Sequence, residues 1–318
     1  MSEFQIVGYH VADRSQCIDL LKRTFPGSSD EKTFAWRFES SSRRNPLLVC
    51  AKDDDKVVSF NSWLSWDFIY NNEPYIGYQS GESATDEHYR GKGIWSRVLK
   101  YADDVARARK IDFLFGFPST MSYNAFCKAG YCPIGLFNYY VRVINPFTSL
   151  LNNRTKYEFG ELPAYLLSEK NKIVPIVDSD YFQWRYFENP KSYDIVRFDK
   201  NGNHAVFVIR IRRYYNKKYK LGWNEGFVLD CQFSSLNDLF IKNAFKYIDS
   251  IYARKVFNLR TFFNPSTAKG KAIAKYFQIR IGSRYETLCI KLINESIDYN
   301  IFFDFNNWDM VPHVIDEE

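Results

Sequence analysis

Apolar and polar positions fall into blocks with recognisable periods. Leu47 to Lys52 is an apolar run halted by Asp53-Asp54-Asp55, which predicts a strand ending in a turn. Val57 to Ile69 and Tyr75 to Thr85 predict two further strands, joined by the polar turn Asn71-Asn72-Glu73. Ile94, Val98, Tyr101, Ala102 and Val105 follow helical spacing, with charges at the positions between them. A short apolar run, Ile111 to Phe117, is bounded by Pro118, and a helix over Ser122 to Lys128 is stopped by Gly130. Upstream, Ser15 to Phe25 predicts a helix ended by Pro26-Gly27. Strands alternating with helices predict an α/β fold with a central mixed sheet.

The pattern recurs. Trp36-Arg37-Phe38 returns as Trp184-Arg185-Tyr186, Asn71 as Asn216, Gly81 as Gly226, Arg109-Lys110 as Arg254-Lys255, Pro118-Ser119-Thr120 as Pro265-Ser266-Thr267, and Lys128 as Lys275. Each match is slight alone. Six in the same order, at offsets of 145 to 148, predict two copies of one unit over about 30–135 and 180–280. The join falls in a Pro-marked stretch with little periodicity, giving expected domains 1–145 and 180–318 with a linker at 146–179.

Composition narrows the function classes. A chain of 318 residues suits two domains and can bury a sizeable core. No apolar run approaches ~18 residues, so no membrane-spanning helix is expected. Met1 to His10 lacks a signal-peptide pattern, which predicts a cytoplasmic protein. The net charge of +6 is too small to argue for nucleic acid, and none is expected as a partner. Six scattered cysteines and four lone histidines form no C-x-x-C or zinc pattern, so no metal is expected. The 18% aromatic content fits an aromatic core better than a sugar-stacking surface.

Chemistry concentrates between the strand ending near Asp86 and the helix starting near Ile94. There Arg90-Gly91-Lys92-Gly93 offers two glycines, which let successive N–H groups converge, and two cations. The helix N-terminus behind them adds roughly half a positive charge. Such a loop suits a pyrophosphate. It is neither a Walker loop nor a dinucleotide fingerprint, because Gly-x-x-x-x-Gly-Lys-Ser/Thr is absent and the loop follows three strands.

These residues resemble the GCN5-related N-acetyltransferase (GNAT) superfamily, whose signature is Arg/Gln-x-x-Gly-x-Gly/Ala. Arg90 and Gly93 match it, and Trp95 departs where a small residue is usual. Ser122 to Tyr131, about 35 residues on, resembles the family's later helix with its Gly-aromatic ending. The resemblance implies two tandem GNAT-like domains, one working and one degenerate. It implies acetyl-CoA as co-substrate, held by Ala84, Thr85, Arg90, Gly91, Lys92, Gly93, Ile94, Trp95 and Asn124. It further implies direct transfer to the primary amine of a small molecule, with an amino sugar or nucleotide-linked amino sugar of surface-polysaccharide synthesis as the acceptor class. Glu82 is the expected base, with apolar neighbours or a strand-edge surface position as the two readings of its site. Phe126 occupies the family's usual tyrosine position, which leaves Tyr123 as the candidate acid. Two alternatives are a non-catalytic CoA-binding or scaffold protein and an aminoacyl transferase of the same tandem fold.

At a constant offset of 145, Phe227 stands opposite Glu82 and Ser235-Leu236-Asn237-Asp238 opposite the glycine loop. The second copy is therefore expected to lack the cofactor cradle and to have a structural or acceptor-binding role. Between Arg210 and Lys220, six cations and three tyrosines occupy eleven residues. This predicts either a solvated hairpin or a clamp in which Arg210, Arg212 and Arg213 hold an anionic acceptor.

Overall fold

The computed structural model describes residues 4–25, 30–40, 45–145, 170–216 and 220–314. The expected linker lies outside the described residues as far as 169, and so do hairpin-tip residues 217–219. In chain order the first half contains β1 (Gln5–Gly8), α1 (Arg14–Thr24), α2 (Glu31–Phe34), β2 (Leu47–Asp53), β3 (Lys56–Tyr70), β4 (Glu73–Thr85), α3 (Ile94–Ala108), β5 (Phe113–Gly116), α4 (Tyr123–Lys128) and β6 (Cys132–Val143). The second half contains β7 (Val174–Pro175), α5 (Ser179–Phe182), β8 (Asp194–Lys200), β9 (Asn203–Asn216), β10 (Leu221–Phe233), α6 (Asp238–Tyr252), β11 (Asn258–Phe262), α7 (Ala268–Ala274), β12 (Ile279–Leu292) and the short α8 (Tyr299–Phe302). A π-helical turn follows α2 at Ala35–Glu39, and another follows α5 at Gln183–Phe187. From β2 to β6 and from β8 to β12 the order of elements is the same.

The two halves share one mixed sheet of twelve strands. Its order is β1-β2-β3-β4-β5-β12-β6-β11-β10-β9-β8, with β7 beside β3. Only β4–β5 and β10–β11 are parallel; every other pair is antiparallel. The last strand of each half has crossed over. β12 pairs with β5 through Cys289↔Gly116, and β6 pairs with β11 through Leu259↔Arg142. This exchange covers the edges that β5 and β11 would otherwise leave open, and β12 and β6 meet at the centre.

Alternation along the strands sorts the core onto two faces. Helices α3 and α4 cover one face of the first half, over Val58, Trp63, Tyr78 and Leu114. Helix α6 covers the same face of the second half, over Phe207, Ile209, Val228 and Leu259. The opposite face carries α1 and α2, the two π-helical turns and the C-terminal segment. At its centre the rings of Trp36 and Trp184 stack 5.2 Å apart at 18°. The aromatic surplus is therefore core: Trp63, Trp308, Tyr139, Tyr181, Phe68 and Phe113 are fully buried.

Candidate active site

The glycine loop has the expected backbone. Gly91 and Gly93 both sit at φ +76°, in the left-handed region that favours glycine. Gly93 is the N-cap of α3, and no side chain caps the amides of that first turn. They are left for a ligand. Asp86 fixes the loop's start: its carboxylate accepts from the His88 N–H (3.1 Å) and faces Arg23 (3.4 Å) and Lys56 (3.6 Å). Arg90 and Lys92 are exposed. The Arg90 Nε donates to the Thr85 carbonyl at 3.1 Å, and Lys92 Nζ lies 4.4 Å from the Tyr89 ring centre. Trp95 is stacked on Trp63 (6.3 Å, 8°) and packs against the core, half-buried.

The ladder between the neighbouring strands ends where the family resemblance places a thioester. β4 and β5 pair only at Gly77↔Phe113, Tyr78↔Leu114 and Gln79↔Phe115. Beyond Gln79, β4 runs on to Thr85 paired with β3 alone, so its other backbone groups face the opening. A bulge interrupts that pairing: Gly81 and Glu82 together lie opposite Ser62, between Trp63↔Ser80 and Asn61↔Ser83. The bulge aims Glu82 at the face carrying the π-helical turns. There Arg37, with a side chain 2% exposed, donates from Nη1 to Glu82 Oε1. The other carboxylate oxygen, Oε2, is buried and accepts no hydrogen bond. Arg37 places a positive charge on one carboxylate oxygen and leaves the other to meet a proton. Neither sequence reading of Glu82 included this partner 45 residues away.

Other expected residues are placed apart. Tyr123 packs against Cys127, with Cys289 and Tyr285 near, on the β12 side of α4; desolvation and the Cys127 thiol hold its phenol above the ordinary value. Among the described residues no hydrogen bond joins it to Glu82. Phe126 fills the core between Trp95 and Tyr131, and Asn124 is exposed at the start of α4. Ala84 is buried, and the Thr85 hydroxyl meets Ser59 at 3.0 Å. The three arginines of the clamp reading are divided between the two faces of β9. Arg212 lies between Glu225 (3.2 Å) and the Phe227 ring (4.8 Å), while Arg210 shares its strand face and Arg213 points to the other. β9 is also six strands from β4, about 29 Å at ~4.8 Å per strand.

The second half departs from the expected register. β4 and β10 match residue for residue at an offset of 148, since Gly77↔Phe113 to Gln79↔Phe115 correspond to Glu225↔Asn258 to Phe227↔Arg260. The counterpart of Glu82 is therefore Asp230, not Phe227. The offset slips because residues 234–237 link β10 to α6, where residues 86–93 link β4 to α3. Four residues, with both glycines, are missing. The N-cap Asn237 turns its own side chain onto the amides of Leu239 and Phe240, occupying the site an anion would take.

The second opening is also filled. Asn264 donates to the carbonyls of Phe305 (2.7 Å) and Trp308 (2.9 Å), Lys269 meets Asp309 at 3.4 Å, and His313 lies 3.7 Å from Asp230. The C-terminal segment thus spans the gap between β10 and the end of β11. Burial pushes the Asp230 carboxyl up to about 6, against the pull of Lys269 and Gln232.

The fold that positions these residues has known parallels. Residues 9–133 match the family model described as an acetyltransferase (GNAT) domain. The chain spans 92% of its length against a GCN5-related N-acetyltransferase from Anabaena variabilis (10% identity, 73% of that chain, TM-score 0.63). It spans 92% against one from Kribbella flavida (12%, 72%, TM-score 0.58). It spans 91% against the Saccharomyces cerevisiae N-myristoyltransferase with bound myristoyl-CoA (10%, 79%, TM-score 0.56). At such identities these likenesses establish the fold. No curated protein matches in sequence. Residues 9–133 carry a GNAT acetyltransferase domain, the chain as a whole has the fold of GNAT proteins, and the match supports an acyltransferase with an acyl-CoA donor.

Proposed function

We propose that this chain transfers an acetyl group from acetyl-CoA to a primary amine of a small molecule, with amino sugars and nucleotide-linked amino sugars as the favoured acceptor class. The observation that carries the reading is the pairing of an uncapped, glycine-turned helix N-terminus with a carboxylate that meets Arg37 through one oxygen and keeps the other free. The pyrophosphate rests on the amides from Gly91 to Trp95, with Arg90 and Lys92 swinging onto it. The thioester lies along the unpaired side of β4, whose N–H groups polarise its carbonyl. Glu82 Oε2 takes a proton from the acceptor's ammonium, and the freed amine attacks the carbonyl carbon. The C–S bond breaks as the amide forms, the attacking nitrogen gives up its second proton to water, and the thiolate takes its proton from water. Residues 1–145 supply this chemistry, and 180–318 act as a degenerate partner whose own opening is plugged. A thiol-release screen tests the proposal, with acetyl-CoA and myristoyl-CoA as donors. The acceptors are glucosamine, nucleotide-linked amino sugars, polyamines, lysine peptides and aminoglycosides. Release with acetyl-CoA and an amino sugar supports it; release with no amine defeats it.

A further inference from the structure

The plugged half has a second connection to Glu82. Trp36 and Trp184 occupy equivalent places, 148 residues apart, and each indole donates to the other's main-chain carbonyl. Trp36 Nε1 reaches Trp184 O at 2.6 Å, and Trp184 Nε1 reaches Trp36 O at 3.2 Å. Both rings are buried, at 6% and 4% exposure. The carbonyl of Trp36 belongs to the peptide plane that joins Trp36 to Arg37. A hydrogen bond to that oxygen therefore fixes the plane from which the Arg37 side chain departs. The Arg37 guanidinium lies 5.6 Å from the Trp36 ring centre, and that of Arg185 lies 6.0 Å from the same ring. From this base Arg37 reaches Glu82 Oε1, leaving Oε2 free.

We infer that Trp184, supplied by the half without a phosphate loop, is a positioning residue for Glu82, acting through Trp36 and Arg37. The chain of contacts gives the second half a part in catalysis without a substrate site of its own. The guanidinium is a planar fork, so its pairing depends on the angle of approach. A π-helical turn left unpinned gives it several. The inference rests on the reading of Glu82 as the base.

A double-mutant cycle tests it, with thiol release from acetyl-CoA and the best amine of the screen as the assay. Trp184→Phe keeps an aromatic ring and removes the N–H. It is expected to lower kcat about 3–10-fold, the equivalent of one net hydrogen bond, with the KM for acetyl-CoA unchanged. In a Glu82→Gln background the same change is expected to cost nothing further, because there is no base left to position. A wild-type kcat in Trp184→Phe, or an equal loss in both backgrounds, overturns the inference. Wild-type turnover in Glu82→Gln alone, or no thiol release with any amine, overturns the underlying reading and the inference with it. Should Trp184→Phe fail to fold, Arg37→Lys carries the same cycle: it keeps the charge and loses the fork, and an additive loss refutes the positioning role.

Discussion

Replacing Gly93 by valine separates the cost of a strained backbone from the loss of a binding site. Gly93 sits at φ +76°, and a Cβ added there meets nothing within 4 Å, so the penalty is conformational and not steric crowding from neighbours. Holding a non-glycine residue there costs about 1–2 kcal/mol, more for a β-branched one. At ~2.1 cal/mol/K of unfolding entropy per residue, 2 kcal/mol lowers the Tm by about 3 °C in a chain of 318 residues. If the backbone relaxes instead, the amides of the loop diverge. Losing two charge-assisted hydrogen bonds to a pyrophosphate, at ~1.5–3 kcal/mol each, weakens acyl-CoA binding by roughly 10²–10⁴-fold. Gly202 supplies a matched control, with φ +74° and open space, in the β8–β9 turn of the other half. Gly202→Val should lower the Tm similarly while keeping the acetyl-CoA-induced rise, which reflects about 2.7 kcal/mol of added stability at 100 times the Kd. Differential scanning calorimetry with and without acetyl-CoA reads both variants. A Gly93→Val protein that is stabilised by acetyl-CoA as strongly as the wild type would refute the placement of the cofactor.

Glu82→Gln should lower turnover by roughly 10²–10⁴-fold with acyl-CoA affinity unchanged, read by steady-state thiol release beside calorimetric titration. Asp230 titrates near 6 in the folded chain, above its ordinary ~3.9, so the folded state holds the extra proton between those values. Stability from this group is present at low pH and lost as the pH rises through 6. The stability of Asp230→Asn relative to wild type should therefore climb from pH 4 to 6, by on the order of 2–3 kcal/mol at most, and then level off; a flat difference contradicts this reading of Asp230. Neutralising Arg210, Arg212 and Arg213 together should lower stability, because Glu225 loses Arg212, and should leave the acceptor KM unchanged; a raised KM at low salt would restore the clamp.

Much of the first half is legible in the sequence because its signals are local. Strands β2 to β4 announce themselves by apolar runs broken at Asp53-Asp54-Asp55 and Asn71-Asn72, and the two glycines of the loop specify a backbone few other residues adopt. The exchange of β6 and β12 is silent in the sequence, because hydrophobic alternation says which face is buried and not which strand lies alongside. The register of the repeat failed for a related reason. Four residues missing after β10 moved the offset from 148 at β10 to 144 at the start of α6 and 145 at β11, so an offset of 145 carried back across that gap misaligned β10. Asp230 was hidden by this slip. Arg37 lay inside the repeated Trp-Arg pair, whose recurrence marked it, but its ion pair with Glu82 depends on a bulge that no local pattern betrays. The Arg212–Glu225 pair was within reach, since a hairpin closing between Asn216 and Leu221 sets those two residues opposite each other.

The central claim is that one of two equivalent openings works and the other is closed by its own chain. Isothermal titration of the 318-residue chain with CoA tests it most directly. The account predicts one equivalent bound per chain, unaffected by changes at Asn237 and lost in Gly93→Val. Two equivalents, none, or a single one that survives Gly93→Val would contradict it.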